Sequence, residues 1–160
     1  MQDLTDRLMK LLLRKKMTLT TAESCTGGLL SATITHKAGA SKIFDRGFIT
    51  YSNESKTELL GVPKEIIAEQ GAVSGGVAQT MAEGALKNSR ASIAVSITGI
   101  AGPDGGTDEK PVGLVYFGYA MRDGPVGSMQ KKFTGSRTKI QSQAVQTAIK
   151  QLINILRSQV

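Results

Sequence analysis

Leu4, Leu8, Leu11 and Leu12 recur at the spacing of one helix face, with Asp3, Asp6, Arg7 and Lys10 between them. The pattern predicts an amphipathic helix over residues 2 to 16, closed by Arg14-Lys15-Lys16, which suit the negative end of the helix dipole. Residues 17 to 22 turn short, β-branched and apolar, as a strand does, and residues 28 to 37 read as a helix again. Between them stands Ala22-Glu23-Ser24-Cys25-Thr26-Gly27-Gly28, a turn of small, hydroxylated and flexible residues. Residues 43 to 51 are strand-like, and Asn53 is placed to cap a helix through Lys56 to Leu60 that Gly61-Val62-Pro63 ends. A capped turn at Lys64 to Glu69 follows, and Ser74 then opens a helix to residue 86 whose small side chains allow close packing.

Ala91 to Thr98 carries no charge and predicts a central strand covered on both faces. After a glycine-rich stretch from Gly99 to Gly113, residues 112 to 121 and 126 to 133 predict a hairpin around Arg122-Asp123-Gly124-Pro125. A long amphipathic helix from Arg137 to Arg157 closes the chain. Helices alternating with strands and then a hairpin predict one α/β domain over residues 1–160, a three-layer α/β/α sandwich with a mixed sheet.

Composition narrows the function classes. With 40% hydrophobic and 21% charged residues in 160, the chain has the makeup of a single soluble domain. A net charge of +7 favours anionic partners, but no Trp, three Tyr and four Phe supply few stacking platforms, so nucleic acid is not the expected partner. One cysteine and one histidine exclude an intrachain disulfide and leave too few soft ligands for a metal. No secretory signal or bilayer-spanning run is present, which predicts a cytoplasmic protein with no membrane partner. The small-residue helix and uncharged strand predict a homodimer or higher homo-oligomer.

In an open α/β sheet, ligands collect beyond the carboxyl ends of the strands. Ser24, Tyr51 and Thr98 each fall at or just past such an end, so three turns could converge on one pocket. Read locally, Ser24 and Thr26 are helix caps, or else Ser24 is a nucleophile with glycine-freed N–H groups ready for an oxyanion or phosphate. His36, about 12 residues on and some 18 Å along a helix, is too far to be its base and reads as a helix C-terminal residue. Lys56 and Tyr51 are the remaining proton acceptors, with Cys25 a rival nucleophile. A basic Lys56 requires partial burial or a nearby cation, which Arg137 could supply. Glu23 and Asp104, the acids inside these motifs, suit either turn or catalytic roles. The 98–106 segment has neither a P-loop ending nor dinucleotide spacing.

Together AESCTGG at 22–28, GFITYSNESK at 47–56, LGV at 60–62, GAVS at 71–74, TGIAGPDGG at 98–106 and KPVG at 110–113 resemble the CinA C-terminal domain family, whose stand-alone members are nicotinamide-nucleotide amidases. The resemblance runs from about residue 5 to residue 157. It implies cofactor-free hydrolysis of the nicotinamide mononucleotide carboxamide to nicotinate mononucleotide and ammonia, a step of pyridine nucleotide recycling. It also implies Ser24 as nucleophile with Tyr51 and Lys56 as partners, and Thr98 and Arg137 in the site. Thr26, Gly27, Gly28 and Gly99 are further expected substrate contacts. The chain departs from the family at Ala38, where a proline is common, at Ser136, where an acid is common, and at Gln141, near a frequent arginine. Two rivals remain: a non-catalytic nucleotide or nucleic-acid binding module, and an amidase of another small amide.

Overall fold

A computed structural model describes residues 1 to 159. The chain runs α1 (Gln2–Lys15), β1 (Leu19–Glu23), α2 (Leu29–Thr35), β2 (Phe44–Ile49), α3 (Asn53–Leu60), α4 (Lys64–Gln70), α5 (Gly75–Lys87), β3 (Ile93–Gly99), β4 (Leu114–Met121), β5 (Val126–Lys132) and α6 (Arg137–Ser158). The sheet order is β2-β1-β3-β4-β5. β1 is parallel to both β2 and β3, whereas β4 and β5 form the antiparallel hairpin expected from their turn. The fold is therefore a single α/β domain on a mixed sheet, as the alternation of patterns predicts.

Alternate residues of β3 separate the two helical layers, because successive side chains of a strand point to opposite faces. Ile93, Val95 and Ile97 join the larger core with Leu8 and Leu12 of α1, Leu30 and Ile34 of α2, and Ile149 and Leu152 of α6. Ala94 joins Ala22, Leu60, Val77 and Met81 under α3 and α5. This second face is lined by small residues, so α5 lies close on the sheet. Ser96 Oγ donates to the Ala78 carbonyl at 2.5 Å, and a Cβ on Gly118 would stand only 2.0 Å from that same oxygen.

Local chemistry differs from the sequence expectation in three places. Ser52, rather than Asn53, caps α3 by accepting from Ser55 N–H at 3.1 Å. Residues 64–70 form a helix rather than a turn, started by Pro63 at φ −61° and stopped by Gly71 at φ 80°. α2 begins at Leu29 because Gly28 sits at φ 105°, outside helical space. Among the described residues, no helix is long and apolar enough to cross a membrane.

Candidate active site

The register brings three chain ends to one edge. Glu23 lies opposite Ile49 on one side and Ile97 on the other. One step further, Ser24 N–H donates to the Ile97 carbonyl and Thr50 N–H to the Glu23 carbonyl, both at 2.9 Å. Ser24, Thr50-Tyr51 and Thr98 thus leave the carboxyl edge of three parallel strands side by side.

Ser24 does not cap α2. Its hydroxyl, in a residue only 8% exposed, faces Lys56 Nζ at 3.1 Å. Lys56 comes from the first turn of α3, and its side chain is 1% exposed. Its amine also donates to the carbonyls of Thr50 at 2.8 Å and Tyr51 at 3.2 Å. The Ser52 carbonyl stands at 3.5 Å. A neutral amine keeps one lone pair, which can take the Ser24 hydroxyl proton while its N–H groups donate to carbonyls. Burial pulls the Lys56 pKa below the ordinary lysine value, against opposing pulls from Cys25 and Glu54. Desolvation, and not the Arg137 charge suggested by the sequence, is the cause.

The cap of α2 is Glu23. Its fully buried carboxylate accepts from Leu30 N–H at 2.8 Å, Ser31 N–H at 2.9 Å, and the hydroxyls of Thr26 and Ser31 at 2.7 Å each. The helix N-terminus that the sequence offers to a phosphate is therefore filled by the protein's own anion. Thr26 is buried with its hydroxyl committed to Glu23. In the turn itself, Gly27 N–H closes on the Ser24 carbonyl and Leu29 N–H on the Thr26 carbonyl. The N–H groups of Thr26 and Gly28 have no acceptor among the described residues. Glu23 does not follow the usual capping-box spacing, since it reaches the helix from the end of a strand; its place directly before Ser24 was the available signal.

Tyr51 and Arg137 pair with one another. Arg137 Nη2 donates to the Tyr51 hydroxyl at 3.0 Å and Nη1 to the Gly102 carbonyl at 2.8 Å, tying the start of α6 to the strand end and the glycine-rich loop. What reaches Lys56 from Tyr51 is its backbone carbonyl, while its ring is 59% exposed. Thr98 is buried beside Ser24, with its hydroxyl donated to the Ala72 carbonyl at 2.9 Å, and Gly99 packs against β4.

The remaining sequence candidates fall into structural roles. Cys25 is buried in the larger core, and burial pushes its thiol up to about 11, which leaves it protonated at neutral pH. His36 is the exposed C-cap of α2. Asp104 is exposed in its loop. Ser136 caps α6 by accepting from Lys139 N–H at 3.4 Å, a task an acid would also perform. Gln141 Nε2 holds the Cys25 carbonyl at 2.9 Å, steadying the turn that carries Ser24. Ala38 is an exposed turn residue. Among the described residues, no group of three or more His, Cys, Asp or Glu side chains could hold a metal.

These features define an α/β/α domain with a buried serine–lysine pair at the carboxyl edge of its parallel strands. The family model for the CinA C-terminal domain matches residues 1–156, and the chain belongs to that family. It is 47% identical over 152 residues to the nicotinamide-nucleotide amidohydrolase PncC of Escherichia coli strain K12, covering 95% of this chain and 92% of that one. It is 50% identical to a relative in Caldicellulosiruptor bescii over 99% of its own length, but spans only 38% of that protein. Among solved structures, it is similar to the competence/damage inducible protein CihA from Agrobacterium tumefaciens, with TM-score 0.93, 44% identity, and 96% and 93% of the two chains covered. The competence damage-inducible protein A (ComA) from Klebsiella pneumoniae matches with TM-score 0.95 and 35% identity, over 99% of this chain and 98% of that one.

Proposed function

We propose that the protein hydrolyses the carboxamide of nicotinamide mononucleotide, giving nicotinate mononucleotide and ammonia, with Ser24 as nucleophile and Lys56 as its general base. The observation that carries the reading is the 3.1 Å contact between the two side chains, both withdrawn from solvent. Histidine is not needed in such a pair, because a desolvated lysine can take the hydroxyl proton. The 47% identity to a protein named nicotinamide-nucleotide amidohydrolase, over nearly both whole chains, supports this choice of substrate.

In this reaction Ser24 Oγ attacks the carboxamide carbon while its proton moves to Lys56 Nζ. The tetrahedral oxyanion meets the free N–H groups of Thr26 and Gly28. Lys56 returns the proton to the departing nitrogen, ammonia leaves, and an acyl ester remains on Ser24. Water then attacks the ester with Lys56 again as base, and the carboxylate product departs. The cationic pyridinium ring makes the carbonyl more electrophilic. Arg137 uses two of its five N–H groups within the protein, so the rest are free for the substrate phosphate, with the exposed Tyr51 ring beside it. Thr98 and Gly99 lie at the end of β3, next to the Ser24 turn.

In this proposal the protein is a cytoplasmic homodimer or larger assembly, for which exposed Leu29 and Ile49 offer apolar surface. The deciding experiment measures ammonia release from nicotinamide mononucleotide by the parent and by Ser24→Ala. Release by the parent and none by the variant is expected. No release by the parent overturns the activity, and a variant at full rate overturns the mechanism.

A further inference from the structure

The geometry points to Glu23 as a positioning residue for the Ser24 nucleophile, an inference that rests on the hydrolysis proposed above. Adjacent residues at the end of β1 face opposite sides of the sheet. Ser24 turns toward α3 and meets Lys56, whereas Glu23 turns toward α2 and gathers the peptide that follows the nucleophile.

The hydrogen bonds under the turn have only one consistent direction. A carboxylate only accepts, so the Ser31 hydroxyl spends its single proton on Glu23 Oε2 at 2.7 Å. Thr21 Oγ1, 2.8 Å from Ser31 Oγ, must then donate to it. Thr26 donates to Oε1 from the other side at 2.7 Å. A directed chain of Thr21, Ser31, Glu23 and Thr26 thus runs beneath the turn with every proton assigned. Gly47 of β2 leaves room for it, since a Cβ there would stand 2.7 Å from both the Thr21 and the Ser31 hydroxyl oxygens.

The consequence concerns the two N–H groups that the proposed reaction assigns to the oxyanion. Thr26 and Gly28 belong to the segment bracketed by the Glu23 bonds to Thr26 Oγ1 and to Leu30 and Ser31 N–H. Fixing that segment fixes where Thr26 and Gly28 N–H point relative to Ser24 Oγ. An error of a few tenths of an ångström there weakens transition-state binding more than substrate binding, because the oxyanion exists only in the transition state. Glu23 touches no reacting atom, so its effect is carried through the backbone.

The test uses Glu23→Gln, which keeps shape and reach but places an NH2 group against donors, together with Ser31→Ala and Thr26→Val, which each remove one donor and keep the carboxylate. Steady-state ammonia release from nicotinamide mononucleotide is measured well below the melting temperature of each variant, alongside the rate at which a fluorophosphonate labels Ser24. Glu23→Gln is expected to lower kcat by about 10- to 100-fold with KM within about threefold, and to slow labelling in parallel. Ser31→Ala and Thr26→Val are expected to lower kcat severalfold with KM unchanged. A stability loss with kcat and labelling within about twofold of the parent in the folded variants overturns the proposal, because a purely structural cap predicts that result. If Glu23→Gln fails to fold, parent-like kcat in both other variants overturns it equally. A parent that neither releases ammonia nor is labelled at Ser24 overturns the hydrolytic reading instead.

Discussion

The Arg137 guanidinium donates to the Tyr51 hydroxyl at 3.0 Å across 86 residues of sequence, joining the first turn of the last helix to the end of β2. The pair stands outside the Ser24–Lys56 contact, since Tyr51 is largely exposed while Lys56 is buried. In the proposed function this pair is assigned to holding the substrate.

Arg137→Ala is expected to raise KM for nicotinamide mononucleotide by about tenfold or more, with a smaller change in kcat, because a charge-assisted contact to phosphate is lost. The same variant should leave KM for the dephosphorylated nucleoside unchanged. Parallel kinetics with both substrates check this, and equal effects on the two would exclude phosphate binding by Arg137.

Lys56→Arg is expected to reduce kcat by at least about a thousandfold while retaining the fold, because a guanidinium stays protonated and cannot take the Ser24 proton. A variant within about threefold of the parent, a barrier change below about 1 kcal/mol, would remove lysine from the mechanism.

The depressed Lys56 pKa sets two pH dependences. In the proposed mechanism the rate depends on the neutral amine, so kcat/KM should rise as pH climbs through the folded-state pKa. Between that value and the ordinary lysine value of 10.5, the unfolded chain binds a proton that the folded chain does not, so the stability contribution from Lys56 rises with pH across this window. Urea titrations of the parent and Lys56→Met should converge as pH increases, the parent gaining relative to the variant. The opposite slope would mean that Lys56 is held protonated.

Cys25→Ala should keep kcat within about threefold of the parent, because the thiol is buried and protonated at working pH. Iodoacetamide should label native Cys25 only slowly at pH 8, and mass spectrometry of the intact protein reads this directly. Rapid labelling with parallel loss of turnover would restore cysteine as the nucleophile.

Gly118→Ala should destabilise the fold by about 1–3 kcal/mol or more, since its methyl would meet the Ala78 carbonyl at 2.0 Å and force α5 off the sheet. Chemical denaturation measures it. No loss would show that α5 can shift at negligible cost.

The order and type of nearly every element were legible in the sequence, because periodicity reports which face of a segment avoids water and this is settled locally. The leucines of α1, the uncharged β3 and the turn between β4 and β5 are of this kind. The placement of Ser24, Tyr51 and Thr98 at strand ends was legible too, since it follows from where each apolar run stops. Partnership was not. Lys56 read alone is an ordinary helix lysine, and only the parallel register of β1 and β2 carries it onto Ser24 and strips its water. Glu23 read alone is a turn residue of either kind, and only the docking of α2 above β1 turns it into that helix's cap. Residues themselves determine what a segment buries; which side chains then share a desolvated space depends on contacts tens of residues apart, and those exist only once the sheet and its two helical layers close.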